Sequence, residues 1–257
     1  MRLGQLAKRA AGDYWYIGQY NDYLQHRDKE AERDKLVALM TRPPRIRGWS
    51  WSASGANTCL RQRQFGYLGM PRRRPDDRTA NIFANGDYMH LRHQAFGEIA
   101  GYIVASEVSV AMPQYNLLGT LDGVLSNGRG LELKSINTRQ FSEVMTFGPK
   151  PDHVAQMHSY MLAGGYDAFH IIYEDKDKQH LKEVVVHRDE AKIKSVIEDL
   201  ERLNEAVDRQ QLLPMLPECL QGKGKFNWCD YRDMCEGATW PSGSLRLTPA
   251  TSSSDAS

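Results

Sequence analysis

The chain has 257 residues, of which 41% are hydrophobic and 25% charged, with a formal net charge of +1. That length supports one substantial domain with its own core, or one domain with appendages. No run of about 18 apolar residues occurs, which excludes a bilayer-spanning helix, and the opening MRLGQLAKRAAGDYWY lacks the apolar stretch of a secretory signal, so an intracellular, cytoplasmic protein is expected.

Residues 1–42 read as helical, with the charged run Arg27 to Lys35 on a solvated face and Pro43-Pro44 as the stop. Between Arg42 and Arg78 stand nine Arg and two Asp, with no Lys or Glu, a local charge of +7. Such a cluster can attract a polyanion or form a solvated loop. Pro71 and Pro75 make this stretch irregular, although 58–68 can be helical. A helix over 81–100 carries Asp87 and His90, 102–110 reads as a strand, and Gln114 to Asn116 turn the chain. Residues 117–125 and 130–136 read as strands joined by Ser126-Asn127-Gly128, a hairpin signal. A helix over 151–164 opens at Pro151 and ends at Gly164-Gly165. Strands over 168–174 and 181–187 flank a charged turn, and a long amphipathic helix over 189–212 is stopped by Pro214 and Pro217. Residues 218–240 are short segments, and the Ser-rich tail reads as disordered. The central order of helix, three strands, helix and two strands predicts an α/β fold with a mixed central sheet flanked by helices.

The segment GTLDGVLSNGRGLELKS concentrates chemistry. Strand side chains alternate faces, so Glu132 and Lys134 point the same way, and a hairpin can bring Asp122 across from them. Two carboxylates and an ammonium among apolar neighbours are costly to bury unless something uses them. Oxygen ligands suit Mg²⁺ or Mn²⁺, and such an ion activates water and stabilises phosphoryl charge. Lys134 would then orient the attacking water or neutralise the transition state. A hairpin with an ordinary salt bridge has the same spacing.

This pattern resembles the PD-(D/E)XK nuclease superfamily, and within it RecB-type nuclease domains, CRISPR-associated adaptation exonucleases and their phage relatives. The family's helix, three-strand, helix, strand core would match residues 83–174, and its acidic motif aligns with Asp122 and Glu132-Leu133-Lys134. Leu121 stands where the family name has Pro. The family's helical His is matched by His90 in GDYMH, and its Gln-x3-Tyr motif by Gln156 and Tyr160. The resemblance thus implies a catalytic set of Asp122, Glu132, Lys134, Gln156 and Tyr160 and a metal set of His90, Asp122, Glu132 and Leu133. Glu107 is either an acid supporting the site or an exposed strand residue.

The four cysteines are Cys59, Cys219, Cys229 and Cys235. Stable disulfides are not expected inside a cell, whereas four thiolates can hold a [4Fe–4S] cluster or Zn²⁺. The resemblance favours iron–sulfur, because relatives place one Cys before the nuclease core and three after it. The departure is Phe226, which occupies the position of the family's middle Cys. Closing so long a chain loop with metal–thiolate bonds would be structural.

The expected function is a metal-dependent exonuclease acting on DNA ends and preferring single strands. Arg61, Arg63 and Arg72 to Arg74 would grip phosphates, while Phe65 or Tyr67 would stack on bases or simply pack. GKGK at 222–225 lacks phosphate-loop spacing, so unwinding would need a recombination or replication partner. A DNA-end-binding assembly module and an endonuclease of the same fold are the alternatives. The expected organisation is an N-terminal region at 1–80, a nuclease core at 81–212, a cysteine segment at 213–240 and a tail at 241–257, from a prokaryotic or phage source.

Overall fold

The computed structural model describes residues 14–42, 50–221 and 229–241. The expected helix over 1–13, the Pro43-Pro44 stop, Arg45, Arg47, the GKGK run, Phe226 and the tail after Pro241 lie outside the described residues.

Residues 14–42 form two helices, α1 (Trp15–Gln25) and α2 (Lys29–Met40), because Asp28 leaves the helix and caps α2 by accepting from the Glu30 and Ala31 amides. The charged run is not wholly solvated: Glu32 is buried, held by Arg27 at 2.5 Å and by the Tyr23 hydroxyl at 3.0 Å. There follow β1 (Trp51–Ser52), a 3₁₀ turn (Ala53–Gly55), α3 (Leu60–Tyr67) and α4 (Asp77–Ala100). Helix α4 starts four residues before its expected position because Asp76 caps the Thr79 amide. Strand β2 (Ile103–Met112), a 3₁₀ turn (Pro113–Tyr115), β3 (Leu117–Leu125) and β4 (Gly130–Ile136) lead to α5 (Thr138–Phe147). Helix α5 is absent from the sequence expectation. Its signal was in the sequence, with Asn137 as cap and Phe141, Val144 and Met145 at i, i+3 and i+4, of which Phe141 and Val144 are buried. Two helices therefore separate the site strands from the next strand. The chain continues with α6 (Pro151–Gly164), β5 (Ala168–Asp175), β6 (Leu181–His187), α7 (Glu190–Asp208), α8 (Pro217–Leu220) and α9 (Arg232–Cys235). Helix α7 stops short of residue 212, with Gln210 at φ +54.

The strands form one mixed six-stranded sheet. Strand β2 runs antiparallel along β3, whereas β4 pairs antiparallel with β3 only at Gly123↔Leu131 and Val124↔Gly130. Strand β1 pairs in parallel with β3 at Leu117 and Leu118, and β4–β5 and β5–β6 are full parallel and antiparallel ladders. With β2 along one edge of β3, its other edge carries β1 at one end and β4 at the other. Between them residues 119–122 have no strand partner on that edge among the described residues.

One sheet face packs on α1, α2 and α4 through Tyr16, Tyr20, Phe96, Leu131, Leu133 and Ile172. The other packs on α5, α6 and α7 through Leu121, Val144, Met157, Tyr160, Phe169 and Leu200. Alternation along β4 sends Leu131 and Leu133 into the first layer and leaves Glu132 and Lys134 towards α6. A small third cluster joins Phe65 of α3 to Tyr231 and Cys235. No helix among the described residues is long and apolar enough to cross a membrane.

Gly130 lies under the Phe169 ring, where an added Cβ would meet Cε1 at 2.2 Å. Gly130→Ala should destabilise the fold by about 1–3 kcal/mol through overpacking, read as a lower urea midpoint at unchanged slope.

Candidate active site

The site forms where β3 and β4 part. In a complete ladder, backbone groups would satisfy one another, and here side chains do so instead. The Asp122 carboxylate accepts from the Leu133 amide at 2.7 Å, bridging the gap. The Tyr160 hydroxyl donates to the Thr120 carbonyl at 2.9 Å, and Gln94 Nε2 donates to the Asp122 carbonyl at 2.9 Å. Helix α4 presents His90 from one side of the sheet, with Nδ1 3.3 Å from Asp122 Oδ1. Helix α6 presents Gln156 and Tyr160 from the other, at i and i+4 on one face.

A continuous polar network results. Lys134 Nζ donates to Glu132 Oε1 at 2.5 Å and to Gln156 Oε1 at 3.0 Å. Gln156 Nε2 donates to Glu132 Oε1 at 2.8 Å and to the Tyr160 hydroxyl at 2.9 Å. Glu132 is only 3% exposed, and its Oε2 is buried without a hydrogen-bond partner. An orphaned carboxylate oxygen of this kind is costly in the protein alone and is a ready ligand for a cation.

The electrostatics divide the two acids. Burial, followed by the neighbouring Asp122 charge, pushes the Glu132 carboxyl up to about 7. Burial also works against an ionised Asp122, but His90 and the Leu133 amide outweigh it and hold that carboxyl below its ordinary value. His90 and Lys134 are both raised: burial opposes their charged forms, and the facing carboxylates Asp122 and Glu132, respectively, outweigh it.

As the side chains stand, no three His, Cys, Asp or Glu groups among the described residues are set to hold a metal ion. The donor chemistry fits one nonetheless, with an orphaned Glu132 oxygen, an ionised Asp122 and an imidazole on adjoining elements. Leu133 is buried, with its amide committed to Asp122.

The site opens into a cleft of about 620 Å³ lined by Asp122, Glu132, Lys134, Gln156 and Tyr160, together with Arg63, Tyr67 and Arg72. The arginine cluster separates here. Arg61 is buried and donates to the carbonyls of Leu213, Cys235 and Ala238, so it ties α3 to the C-terminal segment and does not face a phosphate. Arg72 lines the cleft with Nε on the Tyr231 hydroxyl at 2.7 Å, and Arg73 and Arg74 are exposed. Phe65 is buried against Tyr231 and packs instead of stacking on a base, while Tyr67 lies on Trp51 at 4.4 Å between centroids.

Two polar residues complete the region. Gln94, buried one turn after His90 on the same α4 face, also donates to Glu107 Oε1 at 2.9 Å. Glu107 is half-buried and takes a left-handed backbone at φ +57 within β2. The i+4 spacing from His90 was the only sequence signal for Gln94. Asp87 is exposed.

Cys59, distant in sequence from the other three cysteines, lies within electrostatic reach of Cys219 and Cys229. Burial pushes the Cys219 thiol up first, and Cys59, Cys235 and Cys229 all add to it. Burial likewise raises Cys229, with Cys235 and Cys59 adding. As the side chains stand, the four thiols do not form a metal-holding group.

The raised Glu132 carboxyl has a stability consequence. The folded protein retains a proton that the unfolded chain releases near 4.5, so stability falls as pH rises from there towards about 7. In protein freed of divalent metal, Glu132→Gln should therefore raise the melting temperature by roughly 5 °C at pH 8 and have little effect at pH 4, as followed by circular dichroism.

No family model matches the chain, and no curated protein matches it. Among solved structures it is similar to an alkaline exonuclease (LHK-Exo) from Laribacter hongkongensis, with 15% identity over 71% of this chain and 94% of that one and a TM-score of 0.48. It is also similar to LHK-Exo in complex with dAMP, with 16% identity over 63% and 89% of the two chains and a TM-score of 0.47. A third similar structure is SSO0001, with 16% identity over 80% and 94% and a TM-score of 0.49.

Proposed function

We propose that this chain is a metal-dependent nuclease that hydrolyses DNA phosphodiester bonds from strand ends, with a preference for single strands. The observation that carries the reading is the orphaned Glu132 oxygen beside Asp122, Lys134 and Gln156 at the floor of an open cleft. The resemblance of the acidic, His and Gln-x3-Tyr motifs to PD-(D/E)XK nucleases supports the same reading.

His90, Asp122, Glu132 and Leu133 would hold Mg²⁺ or Mn²⁺. The bound ion would supply water activation and neutralisation of phosphoryl charge. The remaining work falls to the chain. Lys134 has three N–H donors, of which Glu132 and Gln156 use two, leaving one to orient a water or a phosphate oxygen in the cleft that it lines. Gln156 holds Glu132 and Lys134 in register, and Tyr160 fixes Gln156 against the Thr120 carbonyl. Arg72 supplies positive charge to the cleft. Cys59, Cys219, Cys229 and Cys235 would hold a structural [4Fe–4S] cluster, with Zn²⁺ as the alternative, joining α3 to the C-terminal segment as Arg61 already does.

End-labelled single- and double-stranded DNA with Mg²⁺ or Mn²⁺ tests the proposal. Release of nucleotides or short fragments should fall at least about 100-fold in Glu132→Ala, the scale on which a site losing a transition-state stabiliser responds. Undiminished cleavage by that variant, or no cleavage by wild-type protein with its metals bound, would refute it and leave the DNA-end-binding module. Because a proton competes for Glu132 up to about pH 7, Mn²⁺ should bind more tightly at pH 8 than at pH 6 in calorimetry, and this difference should shrink in Glu132→Gln to the part that the raised His90 imidazole contributes. Cys235→Ala should yield colourless, poorly soluble protein; a brown, fully stable variant would remove the cluster assignment.

A further inference from the structure

Arg63 is half-buried in α3, between the catalytic cleft and a second cavity. Its side chain lies against Gly55, where an added Cβ would come 3.4 Å from Nε. Among the described residues it makes no hydrogen bond and no ion pair, in contrast to Arg61 and Arg72. Burial pushes its guanidinium down to about 10, and Asp199 is the charged group that opposes this. A poorly solvated guanidinium without a partner disfavours the protein alone and favours an anion that reaches it.

Arg63 also lines a second cavity, of about 390 Å³, beyond the catalytic cleft. That volume is within the roughly 300–1,000 Å³ of small-ligand pockets. Its walls are apolar where Pro151 and Val154 of the α6 entry face Val196 of α7. Besides Arg63 its polar groups are Asn57, Ser195 and Asp199, which suit a base edge or a sugar hydroxyl, and Lys192. Apolar walls, three edge-binding groups and a guanidinium shared with the catalytic cleft match one ligand class, a nucleotide whose phosphate lies at Arg63.

We infer that this pocket between α3, α6 and α7 seats the terminal nucleotide of the strand being cut, with Arg63 holding the phosphate that leads back into the cleft. The assignment rests on the nuclease reading for its strand, but the pocket itself is defined by residues outside the catalytic set. Seating a terminal nucleotide next to the cleft would make the enzyme measure from a strand end.

The test uses the full chain and two ligands, dAMP and a single-stranded DNA 20-mer. Ser195→Trp fills the pocket, Arg63→Gln removes the phosphate partner, and Lys192→Glu reverses a charge with little change in packing. Each variant should weaken dAMP binding by about tenfold or more in calorimetry, the loss expected for one charged hydrogen bond or one blocked contact. Ser195→Trp and Lys192→Glu should raise KM for the 20-mer by about tenfold with kcat within about twofold. Glu132→Ala should bind dAMP as wild type does while cutting nothing. Wild-type dAMP affinity in all three pocket variants would overturn the inference and leave the nuclease reading intact. Protein that binds dAMP in a pocket-dependent way but never cuts DNA would overturn the nuclease reading and leave a nucleotide site. Lys192→Glu covers the case in which Ser195→Trp fails to fold.

Discussion

The structure depends on a ladder that stops early. Strands β3 and β4 pair for two residues beside their turn and then separate. Backbone amides and carbonyls in the gap cannot remain unpaired in a buried region, so side chains replace the missing strand contacts. Asp122 reaches the Leu133 amide, Tyr160 the Thr120 carbonyl and Gln94 the Asp122 carbonyl. The residues that carry the proposed chemistry are thus also among those that hold the gap open. This coupling explains why α4 and α6, on opposite faces of the sheet, both deliver polar groups to one point.

The same arrangement buries more charge than it satisfies. Glu132 keeps one oxygen without a partner and carries a carboxyl raised to about 7, while Asp122 remains ionised against His90. Two nearby acids with separated protonation behaviour recur where one group binds or activates and the other exchanges a proton. In the proposed function the protein alone is the strained state, and a divalent ion relieves it. The thiol neighbourhood follows the same logic on a smaller scale, since burial and then the neighbouring sulfurs raise Cys219 and Cys229.

The arginine-rich stretch gains its meaning from where the chain places each member. Arg61 is spent on three backbone carbonyls and fastens α3 to the C-terminal segment. Arg72 is held by Tyr231 at the cleft wall. Arg63, two residues from Arg61 and therefore on a different side of α3, is left between the cleft and a second cavity. Equal residues at neighbouring positions thus divide into a tie, a wall and a grip.

Local sequence determined the elements whose signals are periodic or punctuated. The β3–β4 turn, the alternation that aligns Glu132 with Lys134, the helix opened by Pro151 and the two strands after it all follow from nearest-neighbour chemistry, and together they yield the α/β class. The sequence also held Asp122, His90, Gln156 and Tyr160 as candidates through motif spacing. The pattern of α5 was legible in Asn137 and in the spacing of Phe141, Val144 and Met145, although the sequence expectation omits it, whereas the two-residue β1 is too short to carry a pattern. Nor could the sequence reveal the parting of β3 from β4, the place of Gln94, the burial of Glu32 or the separate fates of Arg61 and Arg63. Those depend on contacts between residues far apart in the chain, such as Gln94 with Asp122 or Arg61 with Cys235. Spacing along a chain limits which side chains share a local face, but only the packed tertiary structure decides what that face meets and which polar groups are left without a partner.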